Sequence, residues 1–136
     1  MGTVMGKTVS PDPTANTTSA TQLMMGLAGS ITLIGTTPRL IIMVTGVIWS
    51  SWNAPAQVQL RYGTSATPVN GAVATGTVIG AAKNLLPFIF KNHPVALCGV
   101  VFGLSPGVPY WIDVGLARTV GVMAEIWDVD IVAIEG

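Results

Sequence analysis

Short apolar runs, broken at close intervals by turn residues, dominate the pattern of this 136-residue chain. No stretch keeps apolar residues at helical spacing for long without a Gly or a Pro, so the pattern argues against a helical domain. Strict alternation instead predicts strands with one buried face at 56–62 and 110–118. The residues of these two strands that we expect to point inward are Val58, Leu60, Tyr62, Tyr110, Ile112, Val114 and Leu116.

Further strands are predicted where β-branched and apolar runs lie between turn signals. The strongest is Leu40 to Trp49, in which Gly46 is a candidate bulge. The run from Val95 to Leu104 is mostly apolar and predicts a strand buried on both faces, with Cys98 as a small buried residue. In the last strand, 123–134, one face carries Trp127, Val129, Ile131 and Ala133. The weaker candidates are 22–27, 30–34, 77–81 and 85–91.

About eight short strands without helices predict an all-β fold, an antiparallel two-sheet β-sandwich. A jelly roll and an immunoglobulin-like or fibronectin-like sandwich both fit this pattern. Residues 1–20 are polar and interrupted by Pro11 and Pro13, so we expect an extended N-terminal arm that contacts partners rather than the core. Residues 21–136 are expected to form a single sandwich domain.

Composition adds a feature that most soluble domains lack. Half of the residues are apolar and 9% are charged, with six charges of each sign, whereas about 25% charged residues is usual. No basic surplus is present to neutralise phosphates, so nucleic acid is not an expected partner. The apolar runs are too short for a spanning helix and no signal peptide is visible, so we expect no membrane association and synthesis in a reducing cytoplasm. A surface so poor in charge favours burial against other copies or another protein, so a homo-oligomer is expected.

The polar residues give little indication of catalysis. His93 and Cys98 are the single His and the single Cys, too few for a zinc site and without a recognisable nucleophile–base pair. The segment from Gly2 to Thr8 resembles a phosphate-binding loop, but three residues separate its glycines where the motif needs four. We therefore predict that the protein is not an enzyme and uses no cofactor, nucleotide or metal.

Two acidic residues near the C-terminal end are candidates for an interface. Asp128 and Asp130 are two positions apart, so they share one face of a strand. Paired carboxylates are also found in cation sites and in glycosidases. No further acidic cluster supplies the remaining oxygen ligands, so we favour a solvated or partner-facing role.

Tryptophan residues form the second interface candidate. Trp111 lies on the strand face opposite Tyr110 and Ile112, so we expect it to point outward, where Trp anchors protein interfaces. Trp49 and Trp52 flank a strand end. We favour a protein interface over a sugar-binding platform for these three residues.

Three sequence motifs together suggest a family. They are Leu60 to Thr64 (LRYGT), Thr75 to Thr77 (TGT) and Leu104 to Asp113 (LSPGVPYWID). They resemble small β-sandwich virion proteins of tailed bacteriophages, in particular the jelly-roll proteins that decorate or cement capsids, over roughly Ala15 to Ile134. The resemblance implies a jelly roll without cofactor, bound to the major capsid protein in the virion, often as a small oligomer.

A second similarity leaves an alternative open. Leu104, Pro106, Gly107 and Tyr110 are spaced as in the corner before a late strand of fibronectin type III domains, where the Tyr hydroxyl bonds back to the backbone. The alternative function is a receptor-binding or carbohydrate-binding module of a phage tail or fibre. That module would use the three Trp residues as an aromatic platform.

Overall fold

The computed structural model describes residues 4–7, 13, 15–27, 29–35, 39–50, 54–88, 92–118 and 123–136. These residues form nine strands and no helix, which confirms the all-β prediction. The strands are β1 (Val4–Lys7), β2 (Leu23–Met24), β3 (Gly29–Thr32), β4 (Arg39–Ser50), β5 (Ala54–Gly63), β6 (Thr77–Phe88), β7 (His93–Phe102), β8 (Pro109–Arg118) and β9 (Ala124–Glu135).

Two antiparallel sheets pack face to face. Sheet A has four strands in the order β1-β9-β4-β7. Sheet B has the order β2-β8-β5-β6, and β3 pairs with β8 on the same side as β2. The predicted antiparallel two-sheet sandwich is confirmed, while its assignment as a jelly roll stays a prediction.

Inward side chains of both sheets fill one hydrophobic core. All inward residues predicted for β8 are buried, and Val58 and Leu60 of β5 are buried beside them. Tyr62 is half-buried and packs against the same core. Each large aliphatic side chain that is removed from water contributes about 1.5–3 kcal/mol, so this interlocking of two sheets is the main source of stability.

β9 contains a bulge opposite the residue at which the sequence suggested one. Thr45 pairs with Asp130 and Val47 pairs with Trp127, so Asp128 and Val129 together face the single residue Gly46. The extra residue is on β9, and Asp128 adopts a positive φ of 53°. Asp is one of the few non-glycine residues that visit this left-handed region.

The bulge changes which residues of β9 point inward. Ala124 and Ile126 are buried before it, whereas Val129 and Ile131 are buried after it. Trp127 is exposed. The prediction that Trp127 shares a face with Val129 is therefore wrong, because the extra residue shifts the alternation by one position.

β7 is an edge strand of sheet A, so the prediction of a strand buried on both faces is wrong. Leu97 and Val101 point into the core, but Val100 and Phe102 are exposed on the outer side. Cys98 is exposed as well, contrary to the expectation of a buried thiol. An apolar run does not distinguish a strand covered on both sides from one with an open apolar face.

β6 is one irregular strand in place of the two predicted at 77–81 and 85–91. Its pairing with β5 shifts near Gln59, where Gly80 adopts a φ of 66°. The Gln59 amide nitrogen donates a hydrogen bond of 2.8 Å to the Gly80 carbonyl. The buried Gln side chain thus satisfies backbone that the bulge leaves unpaired.

Parts of the predicted N-terminal arm are attached to the sandwich. β1 pairs with β9 at the edge of sheet A. Thr17 is buried and exchanges two backbone hydrogen bonds with Ala124, at 2.7 and 2.8 Å. These parts of residues 1–20 therefore contact the domain itself, while contacts of the arm with partners stay a prediction.

Candidate interaction surface

The outer side of sheet A carries an apolar surface that spans three neighbouring strands. Of the nine exposed large hydrophobic residues among the described part of the chain, five lie here and are 40–70% exposed. We call this surface the apolar face and define it by these five residues and Cys98 between them. Its members are Ile41, Met43, Cys98, Val100, Phe102 and Trp127.

Strand pairing makes five members of the apolar face contiguous, whereas Trp127 pairs with Val47, beyond the Asp130–Thr45 pair. Met43 of β4 pairs with Cys98 of β7 on one side and with Val132 of β9 on the other. Directly opposite side chains in antiparallel strands are about 5 Å apart. With strands about 4.8 Å apart and about 3.3 Å per residue, the face covers roughly 350 Å² in projection. Patches of that size on monomers are often functional.

Charged side chains lie at one end of the apolar face and between Trp127 and its other members. Arg39 is exposed at the first residue of β4, where it pairs with Phe102. Asp128 and Asp130 are exposed on β9, with Asp130 paired to Thr45. Six positions along β4, about 20 Å, separate Arg39 from Thr45, the partner of Asp130. The surface is therefore basic at one end, apolar in the middle, and acidic between Met43 and Trp127.

The predicted interface carboxylates are brought close together. Asp128 and Asp130 line one shallow depression with residues of β4 and β7, among them Val47 and Pro94. Among the described residues, no three His, Cys, Asp or Glu side chains are grouped so that they could hold a metal ion. The depression thus combines two carboxylates with an apolar wall.

The Trp residues are not brought together. Trp49 is half-buried on the outer side of β4, and Trp52 lies outside the described residues. Trp111 is 4% exposed, so its predicted outward interface role is wrong. The aromatic platform of the carbohydrate-binding alternative therefore lacks Trp111.

Trp111 is buried because the segment 63–76 folds over the outer side of sheet B. Its indole nitrogen donates a hydrogen bond of 3.0 Å to the Thr64 carbonyl. A Cβ atom at Gly76 would lie 2.3 Å from the indole ring, and one at Gly63 would lie 2.5 Å away. The two glycines that flank the loop are the sequence signal that could have revealed this cover.

Asp113 is a second buried residue on the outer side of β8, and sequence reasoning missed its role. Its carboxylate accepts backbone hydrogen bonds from Gly26 at 2.9 Å, Leu27 at 3.2 Å and Val114 at 2.7 Å. Gly26 and Leu27 lie where the chain passes from β2 to β3, whereas Val114 is the next residue of β8. Burial raises the pKa of Asp113 to about 6, although the N–H groups act in the opposite direction.

Arg118 is a buried cation at the end of β8. Its Nη1 donates to the Ser50 hydroxyl at 2.6 Å and to the Met123 carbonyl at 2.7 Å. Its Nε and Nη2 atoms are buried without a hydrogen-bond partner in the described part of the chain. Burial lowers the pKa of this guanidinium. Arg118 joins the ends of β4 and β8 to residue 123.

His93 and Cys98 do not form a catalytic pair. His93 is the first residue of β7 and Cys98 lies five positions further on, about 16 Å along the strand. The hydrogen bond expected at the corner before β8 is present, since the Tyr110 hydroxyl accepts a hydrogen bond of 2.8 Å from the Ser105 N–H. This bond fixes the turn before β8 and carries no chemistry.

A comparison with protein-family models gave no match, and a comparison with curated proteins gave no significant match. Among the described residues there is no helix of the length and apolarity that crossing a membrane requires. The geometry of the apolar face is therefore the basis for a functional proposal.

Proposed function

We propose that this protein is a structural virion protein that binds and stabilises a bacteriophage capsid, and that it contacts the shell through the apolar face. The supporting observation is the apolar surface on the outer side of sheet A, with Arg39 at one end and with Asp128 and Asp130 next to Trp127. The motif resemblance supports the major capsid protein as the partner. A jelly-roll connectivity is part of the same proposal.

The use of the buried polar residues supports a structural role. Asp113 and Glu135 each accept backbone hydrogen bonds, and the Ile34 and Gly35 N–H groups donate to Glu135 at 3.1 and 2.6 Å. Arg118 bonds a hydroxyl and a carbonyl. These side chains join strand ends, an arrangement that stabilises a scaffold.

The apolar face is large enough to contribute to shell binding. Burial of the face, roughly 350 Å² in projection, contributes at most about 9 kcal/mol before the cost of association is subtracted, because the polar residues Thr45 and Asp130 lie within this area. Salt does not screen this contribution, whereas it weakens contacts between exposed charges. We therefore expect binding that persists at high ionic strength, with Arg39, Asp128 and Asp130 orienting the protein on the shell.

Cosedimentation with shells of the phage that encodes the chain tests this proposal. A Met43→Lys substitution places a charge in the centre of the apolar face and should weaken binding at least about tenfold. Val73→Lys is the control, because Val73 is highly exposed and lies between β5 and β6, away from the apolar face. This control should bind like the wild type.

Measurements at about 0.05 and 0.5 M salt then separate apolar from charge-driven contacts. Binding of the wild type and the Val73→Lys variant at both concentrations, together with loss for Met43→Lys, supports the proposal. No cosedimentation of the wild type, or equal binding by all three proteins, would overturn it.

A further inference from the structure

The edges of the two sheets differ in how well they are protected against pairing with another chain. The edge strand β1 has four residues. One edge of sheet B consists of two separate short strands, β2 with two residues and β3 with four. The pairing of β6 with β5 shifts at two places, and Lys83 is exposed on it. Short strands, bulges and Lys are the means by which proteins prevent edge pairing.

β7 is neither short nor bulged and carries no Lys, and its one Pro, Pro94, is the second residue of the strand. It pairs with β4 through ten consecutive residue pairs without a register shift. Its sequence, HPVALCGVVF, contains no Lys, Arg, Asp or Glu. A long, regular and uncharged edge strand is a template for adding another strand.

The outer side chains of β7 are small in its first half and increase in size from Ala96 to Phe102. In order they are Pro94, Ala96, Cys98, Val100 and Phe102. In an antiparallel pair of two such strands, centred on Cys98, each large side chain lies opposite a small one. Phe102 of one copy then faces Pro94 of the other, and Val100 faces Ala96. The strand is thus complementary to itself in this register.

We propose that β7 pairs antiparallel with β7 of a second copy of this chain, with Cys98 at the two-fold axis. Two four-stranded sheets then join into one eight-stranded sheet. Opposite residues in this register point to the same side, so the apolar faces of both copies lie side by side. A homodimer with one self-complementary patch has the commonest symmetry of soluble oligomers.

The charged side chain of Lys83, on the neighbouring strand β6, is compatible with this pairing. Lys83 of β6 lines the grooves beside β7, together with Leu97. A lysine stem is long and flexible, so the ammonium group can remain in water at the border of the interface.

Oxidative cross-linking reads out the register directly. Directly opposite residues in an antiparallel pair have Cα atoms about 4.5–5.5 Å apart, within the range of about 4.4–6.8 Å that a disulfide spans. Copper(II)-phenanthroline should therefore convert the wild type into a covalent dimer through Cys98.

Two cysteine variants provide matched controls in a Cys98→Ala background. Ala96→Cys alone and Val100→Cys alone should not cross-link. In each case the new thiol lies about four residues, roughly 13 Å, from the same thiol in the second copy. A mixture of the two should form the mixed dimer, since residues 96 and 100 face each other. Equal cross-linking of each variant with itself would overturn the register.

The oligomeric state of the free protein provides a second readout, by light scattering after size exclusion. The wild type should be a dimer, and Ala96→Lys should weaken dimerisation at least about tenfold. Val78→Lys should remain dimeric, because Val78 is exposed on β6. A monomeric wild type would refute the proposal, as would a fully dimeric Ala96→Lys protein.

The dimer and the capsid function are tested separately. Met43 lies on β4, away from the β7 edge. Met43→Lys should dimerise like the wild type even where it fails to bind shells. Loss of cross-linking with normal shell binding would reject the dimer alone.

Discussion

An Asp113→Asn substitution should remove part of the pH dependence of the free energy of unfolding. In the folded protein the carboxyl group is fully buried, and burial raises its pKa from 3.8 to about 6. Unfolding returns the group to water and to its ordinary pKa. Between these two pKa values, the folded state retains a proton that the unfolded state has released.

The sign of the effect follows from proton binding. Because the folded state binds more protons between pH 3.8 and about 6, the free energy of unfolding decreases as the pH rises through this window. Each pKa unit corresponds to about 1.4 kcal/mol, so the total is about 3 kcal/mol. The stabilisation is complete below about pH 4 and lost above about pH 6. For a chain of this length, it corresponds to about 10 °C in Tm.

Urea unfolding of both proteins at about pH 3 and about pH 7.5 measures this contribution. The wild type should lose about 3 kcal/mol more than Asp113→Asn between the two pH values. Asn keeps the shape of the side chain but brings an NH₂ group to the backbone donors, so the variant has a lower stability at acidic pH. The comparison of pH differences cancels that constant cost. Parallel pH profiles would refute the assignment of a raised pKa to Asp113.

Two further predictions concern the cover over β8. Trp111→Ala should lower the free energy of unfolding by about 3–5 kcal/mol, whereas Trp127→Ala, at an exposed site, should have a small effect. Denaturant titration measures both free energies. Similar losses for the two variants would contradict the burial of Trp111. Gly76→Ala should lower Tm more than Gly107→Ala, because both have positive φ but only the Cβ at Gly76 meets the Trp111 ring. Calorimetry compares the two glycine variants, and equal Tm values would exclude a steric role for the indole.

Alternation predicted the inward faces of β5 and β8 because the polar and apolar residues there match the two sides of each strand. Cys98 and Trp111 show where this reasoning fails. The outer side of β7 is itself apolar, so the pattern could not indicate that Cys98 is exposed. Trp111 does lie on the outer side of its strand, but a loop from a distant part of the sequence covers it. Both outcomes depend on tertiary contacts that local periodicity does not encode.

The candidate surface was recognised in part. Asp128 and Asp130 are exposed, but the shift at Asp128 separated Trp127 from the face on which it was expected. The apolar face itself was missed, because its residues belong to three strands whose order the sequence did not determine. The role of Asp113 was missed because two of its backbone donors lie in the segment between β2 and β3. Only the assembled sheet brings that segment next to Asp113.

The bulge at Asp128 makes β9 one residue longer than the stretch of β4 beside it. A single-residue deletion within a strand ordinarily reverses the orientation of all side chains on one side of it. Deletion of Asp128 would instead place Trp127 directly before Val129. Trp127, Val129 and Asp130 would then pair with Val47, Gly46 and Thr45, and inward and outward side chains would alternate regularly. β9 can therefore lose one residue at Asp128 without a change in which side chains point into the core. The same change at Val132 would turn the final residues of the core outward.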